Sequence, residues 1–255
     1  MAKTPLILLP GGVLPAGPAY GGLIEHLGDD VDARAKDLEV YAADTPPPGY
    51  DLHIEVTALL RFADEAGFES FHLLGYSAGG AIALYAAAES PGRLRSLALM
   101  EPAWAGTIDR SPQESAVYER LGEVMQLSDE TELMRQFIRI QLAPGIPAPE
   151  RPAAPPPPWM ARRPAGLRAL IRAFDAASLD PSALRAFDRP VSFMHGGHSN
   201  PDLYARMGVR LEAVFPDYSM ELYAERHHFD PPHRTEPARV AESLRALWQR
   251  AEASP

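Results

Sequence analysis

No cysteine occurs anywhere in the 255 residues, which excludes disulfides, thiolate nucleophiles and cysteine-ligated zinc or iron–sulfur centres. Long apolar runs are missing too, since none approaches the roughly twenty residues that a bilayer-crossing helix needs. Positive charge is in deficit: 24 Lys and Arg stand against 34 Asp and Glu, for a formal net charge of −10. That balance speaks against nucleic acid or an anionic membrane as a partner, because both are polyanions. There is no His-Glu-x-x-His pair, no GxGxxG and no Walker-type phosphate loop, so no metal or nucleotide cofactor is expected. The segment before Pro10-Gly11-Gly12 holds one lysine and a short apolar run. It reads as a first strand rather than a secretory leader, and a cytoplasmic location is expected.

What the chain does have is apolar residues, 46% of the total, and 27 prolines. The first is enough for one large domain with a substantial core. Short apolar runs at residues 6–9, 71–74, 94–100, 191–195 and 219–224 read as strands, with a weaker one at 38–41. Between them, apolar residues at helical spacing mark helices at 20–27, 52–66, 80–88, 203–213 and 236–250. Strands alternating with helices predict an α/β fold, a mostly parallel doubly wound sheet covered on both faces. The alternation breaks at residues 104–185, which are helical in pattern with no convincing strand. The middle of that region, residues 141–164, carries nine prolines and cannot continue a helix. The expected organisation is a core of residues 1–103 and 186–255 with a helical, proline-rich cap of residues 104–185, mobile or partly ordered.

The densest information lies in Gly75-Tyr76-Ser77-Ala78-Gly79, between the 71–74 strand and the 80–88 helix. A sharp strand-to-helix turn lifts a serine hydroxyl above the sheet, and it brings strand and helix so close that side chains two residues away would collide. Ala78 follows the serine at the helix start, where its N–H can face the same oxygen. Gly11 and Gly12 end the first strand and can aim a second N–H there, with Gly12 as the expected donor and Val13 in reserve.

Serine needs an adjacent base to react at neutral pH, and histidine has the suitable pKa. In a parallel sheet the functional groups gather at the carboxyl ends of the strands. Those ends offer His195, His198, His227 and His228. His228, in the loop after the last strand, is the expected base, with His227 as the neighbour that could replace it. A carboxylate should orient the imidazole. Glu101, at the end of the strand following the serine's helix, is preferred; Asp202 is the alternative and Asp230 a remote option. Ser199 occupies the loop position after the 191–195 strand where an aspartate is customary. Trp104 is expected on the wall of an apolar pocket beneath the cap. Met125, Met134, Phe137, Trp159, Met160 and Phe174 supply further bulk, read mainly as cap core.

Together Gly11-Gly12, Gly75-Tyr76-Ser77-Ala78-Gly79-Gly80 and His228-Phe229, in the order Ser, acid, His, resemble the α/β-hydrolase fold family. The likeness spans roughly residues 4–103 and 186–250 and leaves the cap unmatched. The resemblance implies a cofactor-free hydrolase acting on a small apolar ester or lactone through an acyl-enzyme on Ser77, and a sheet without the family's first hairpin. An acid after the strand following the elbow helix looks like a minority of the family that includes some lactone hydrolases and haloalkane dehalogenases. Ser77 argues against the dehalogenases, which use an aspartate nucleophile. Thioester, carbon–carbon and perhydrolytic chemistry remain open with the same three side chains, as does a binding protein without turnover. The oligomeric state is left open.

Overall fold

A computed structural model describes residues 3–107, 109–150 and 155–253. In chain order its elements are β1 (Thr4–Leu9), α1 (Ala16–Leu27), β2 (Val31–Ala35), α2 (Leu52–Glu65), β3 (Phe71–Tyr76), α3 (Ala78–Glu89) and β4 (Leu94–Met100). There follow α4 (Pro112–Met125), α5 (Glu130–Ile140), α6 (Arg163–Ala176), α7 (Pro181–Arg185), β5 (Val191–Gly196), α8 (Tyr204–Glu212), β6 (Tyr218–Tyr223), α9 (Pro232–Thr235) and α10 (Pro237–Ala253). The six strands form one sheet in the order β2-β1-β3-β4-β5-β6, and every pairing is parallel.

Parallel strands need crossovers that bury both faces of the sheet, and the residues alternate accordingly. In β1, Leu6 and Leu8 face one way, into a core with α1 and α10 that includes Tyr20, Leu23, Leu244 and Trp248. Ile7 and Leu9 face the other way, into a larger core with α2, α3 and α8. Alanine-rich α3 is buried along nearly its whole length, which brings it close against β3. The same larger core takes in Leu121, Leu133, Phe137, Leu167 and Phe174 from the helices between β4 and β5. One buried ion pair also joins that region to the sheet layer, with Arg210 of α8 and Glu114 of α4 at 2.6 Å.

The strand expected at residues 38–41 is instead a short 3-10 turn, Glu39–Tyr41. Leu38 and Val40 are buried as the apolar pattern requires. Their neighbourhood is tied not to another strand but to buried Glu55, whose carboxylate accepts from the N–H groups of Glu39 and Val40 at 2.9 and 3.0 Å. The real second strand, β2, lies at the sheet edge with only Val31 buried, so it carries no apolar run to read. Helix α1 begins four residues before the expected start, and β3 runs into the Gly75-Tyr76 pair. The proline-rich stretch interrupts helix between α5 and α6 as expected; its residues 151–154 lie outside the described residues. Among the described residues no helix is long and apolar enough to cross a membrane.

The chain leaves β1 for β2 on one side and returns to β3 on the other. Such a switch in strand order opens a crevice at the carboxyl ends of the strands. Gly11-Gly12 follows β1 and Ser77 follows β3, which places both at that crevice.

Candidate active site

Ser77 sits at the junction of β3 and α3 with φ 53° and ψ −116°. A non-glycine residue in this region costs on the order of 1–3 kcal/mol, so the surroundings must hold it. They do so through the backbone: the Ser77 N–H donates to Met100 O at 3.0 Å, and Ser77 O accepts from Ala103 N–H at 2.8 Å. The flanking glycines are steric necessities. A Cβ on Gly75 would stand 2.3 Å from the carbonyl oxygen of Gly79, and one on Gly79 would stand 2.4 Å from that of Leu9. Neither gap admits a carbon atom.

His228 lies in the loop between β6 and α9, with its ring buried. Its Nδ1 is 2.9 Å from Glu101 Oε2, and its Nε2 is 3.0 Å from Ser77 Oγ. A carboxylate only accepts, so Nδ1 carries the proton and Nε2 is left to accept from the serine hydroxyl. Glu101 is fixed in turn, because its other oxygen accepts from the Gly196 N–H at 2.8 Å. The end of β5 reaches the histidine loop through two glycines: a Cβ on Gly196 would stand 2.2 Å from Arg226 O, and one on Gly197 would stand 2.3 Å from Ala224 O. Glu101 itself has φ 44°, a left-handed conformation that turns the chain out of β4.

The structure thus brings Ser77, His228 and Glu101 into one hydrogen-bonded chain, and leaves the alternatives outside it. Asp202 pairs with Arg206 at 2.9 Å on the surface. Asp230 pairs with Arg226 at 2.9 Å. His227 accepts through Nδ1 from the Phe229 N–H at 3.1 Å. His195 is buried beneath the site, its pKa lowered by burial against the opposing pull of Glu101, and His198 faces Glu225 at 4.0 Å. The N–H groups of Gly12, Val13 and Ala78 have no acceptor among the described residues.

Several contacts that sequence reasoning missed hold this arrangement. The Tyr76 hydroxyl donates to the backbone carbonyl of His228, and the Tyr204 ring stacks on the imidazole at 4.8 Å and 11°. Tyr41 donates to Gly12 O at 2.6 Å, while Arg163 of α6 lies 3.8 Å over the Tyr41 ring. A Cβ on Gly166 would stand 2.0 Å from that same ring, so α6 can seat only with glycine there. Of these, Tyr76 alone carried a signal, being inside the glycine-flanked motif.

A cavity of about 180 Å³ opens over Ser77 and His228. Its walls include Gly12, Phe137, Trp159, Met160, Leu170 and Phe174, so four aromatic or methionine residues expected mainly as cap core face it. Trp104, expected on the wall, lies behind it. The indole is 1% exposed and stacks on Phe174 at 6.1 Å, and it is Phe174 that meets the cavity. The wide indole fills the core shared by sheet and helices rather than the pocket. His233 and Arg234 of α9 also line the cavity. His233 is buried between Tyr20 and Tyr76, and burial followed by the charges of Arg234 and His228 lowers its pKa to about 3. No group of three metal-binding side chains occurs among the described residues.

Comparison with known proteins places this geometry in context. A family model described as the alpha/beta hydrolase fold matches residues 4–145. The chain is 34% identical to N-formylmaleamate deformylase of Pseudomonas putida over 103 residues, 40% of this chain and 38% of that protein. The match thus spans well under half of that relative's length. Among solved structures, MenH from S. aureus superposes with a TM-score of 0.74 at 16% identity, over 99% of this chain and 96% of that one. A thermophilic esterase from Thermogutta terrifontis superposes with a TM-score of 0.69 at 17% identity, over 98% and 91%.

Proposed function

The chain belongs to the alpha/beta hydrolase fold family, and from that premise we propose that it is a serine hydrolase that cleaves a carboxylic ester or lactone through an acyl-enzyme on Ser77. The observation that carries this reading is the unbroken hydrogen-bonded chain from Ser77 Oγ through His228 to Glu101 at the floor of an apolar cavity. In it, residues 104–185 act as a cap over a core of residues 1–103 and 186–255.

As Ser77 Oγ attacks the carbonyl carbon, His228 Nε2 takes its proton and Glu101 stabilises the resulting imidazolium. The carbonyl oxygen becomes an oxyanion held by the N–H groups of Gly12 and Ala78, which have no acceptor among the described residues. His228 then returns the proton to the departing alcohol, leaving an ester on Ser77. A water molecule deprotonated by the same nitrogen attacks that ester, releasing the carboxylic acid and restoring the serine. Similarity to N-formylmaleamate deformylase favours a second reading, hydrolysis of an N-acyl bond by the same route.

A fluorophosphonate should label wild-type protein at Ser77 and leave Ser77→Ala unlabelled. A folded wild type that does not react would favour a binding protein over an enzyme. Turnover of aryl esters, acyl thioesters, β-diketones and N-formyl amides, measured side by side, separates the chemistries.

A further inference from the structure

The cavity lining is apolar over most of its area, and among its described residues Arg234 is the formally charged one. An arginine at a pocket rim is ordinarily held by a neighbouring carboxylate. Here the acidic residues flanking it in sequence are engaged elsewhere. Asp230 pairs with Arg226 at 2.9 Å, and Glu236 pairs with Arg226 at 2.7 Å and Arg239 at 3.4 Å. The Arg234 guanidinium has no hydrogen-bonding or ion-pair partner among the described residues, in a chain with ten more acidic than basic residues. Its side chain is exposed, yet its charge reaches the site, since it disfavours protonation of His233 and favours ionisation of Tyr76.

Ligand pockets of this kind combine apolar walls with a few polar groups that fix orientation. A carboxylate placed against such walls would be strongly disfavoured without a cation, and a guanidinium matches it with two parallel hydrogen bonds. Resting on the hydrolase reading above, we propose that Arg234 anchors a free carboxylate of the substrate, remote from the carbonyl that Ser77 attacks. The substrate class is then a half-ester or half-amide of a dicarboxylic acid, whose uncharged body packs against Trp159, Met160 and Phe174.

The test compares 4-nitrophenyl hydrogen glutarate with its methyl ester, which has the same scissile bond and no charge. Wild type should prefer the acid by about tenfold or more in kcat/KM, chiefly through KM. Arg234→Gln should collapse that ratio, and Arg234→Lys should restore part of it. Fluorophosphonate labelling of Ser77 in each variant reports that the nucleophile remains competent. A labelled wild type with no preference, or a ratio that survives Arg234→Gln, overturns the anchor and leaves the hydrolase reading standing. An unlabelled wild type overturns the hydrolase reading instead. The anchor is then judged by binding alone: a melting temperature raised by the hydrogen glutarate ester in wild type and not in Arg234→Gln supports it, and no rise in either overturns it.

Discussion

Glu101 Oε2 lies 2.9 Å from His228 Nδ1 although 127 residues separate the two, and each comes from a different strand end. The carboxylate holds the proton on Nδ1 and so leaves Nε2 free to accept from Ser77. An amide in its place could donate to Nδ1 and favour the wrong tautomer. Glu101→Gln is therefore expected to lower kcat on any aryl ester by roughly 10²- to 10⁴-fold, with the fold intact. Asp202→Asn removes only an exposed pair with Arg206, and kcat should stay within about twofold. Loss of turnover in Asp202→Asn alone would assign the acid to Asp202.

Tyr41 links the helices after β4 to the loop after β1. Its hydroxyl holds Gly12 O at 2.6 Å and its ring carries the Arg163 guanidinium at 3.8 Å. Tyr41→Phe keeps the ring and deletes the hydrogen bond, freeing the peptide next to the proposed oxyanion donor. With roughly 0.5–1.5 kcal/mol for such a bond, kcat should fall about two- to tenfold while KM changes less. Steady-state kinetics at wild-type kcat would mean that other contacts fix this loop.

How much of this was legible beforehand follows from what each residue depends on. Ser77, Gly75 and Gly79 sit in one short segment whose chemistry is local, so five consecutive residues announce the turn. His228 and Glu101 could be placed at strand ends because parallel strands put all carboxyl ends on one side. Their pairing was expected from the need for a carboxylate beside the base, but Asp202 and Asp230 stayed open as alternatives, since the choice among them depends on the order of β3, β4, β5 and β6 across the sheet. Strand β2 was hidden because an edge strand with Asp32 and Arg34 shows no apolar run, while Leu38 and Val40 mimic one at the right spacing. Trp104 was misplaced for a related reason. An indole suits a pocket wall and a core equally, and only the packing of Phe174 decides between them.

The glycines of the turn give a stability prediction free of any assumption about activity. Gly75→Ala and Gly79→Ala each drive a Cβ to within 2.4 Å of a backbone carbonyl, which no side-chain rotation relieves. Each should destabilise the protein by about 3 kcal/mol or more, or prevent folding. Gly122→Ala, where the added carbon meets nothing within 4 Å on α4, should be neutral to slightly stabilising. Urea unfolding of the three variants checks this ordering; a Gly75→Ala protein as stable as wild type would contradict the close approach of β3 and α3.

Acid sensitivity follows from two histidines outside the proposed chemistry. Burial lowers the pKa of both His72 and His233 to about 3. In the unfolded chain each returns to about 6.5. Between these values the unfolded state binds more protons than the folded one, so stability falls as pH drops through about 6.5 and goes on falling toward about 3. Each histidine can contribute a slope of up to about 1.4 kcal/mol per pH unit. Above about 6.5 both states leave the rings neutral and the dependence from this source vanishes. Carboxylates add their own loss only near and below about pH 5, which leaves a window where histidine dominates. His72→Gln removes a titrating ring while keeping a side chain able to bond Ser96 Oγ, now 2.8 Å from Nδ1. Unfolding free energies measured from about pH 7.5 to about pH 5 should decline in wild type, and decline less steeply in His72→Gln by about one proton's worth. Superimposable slopes for the two proteins would mean that His72 takes up a proton as readily inside the fold as outside it.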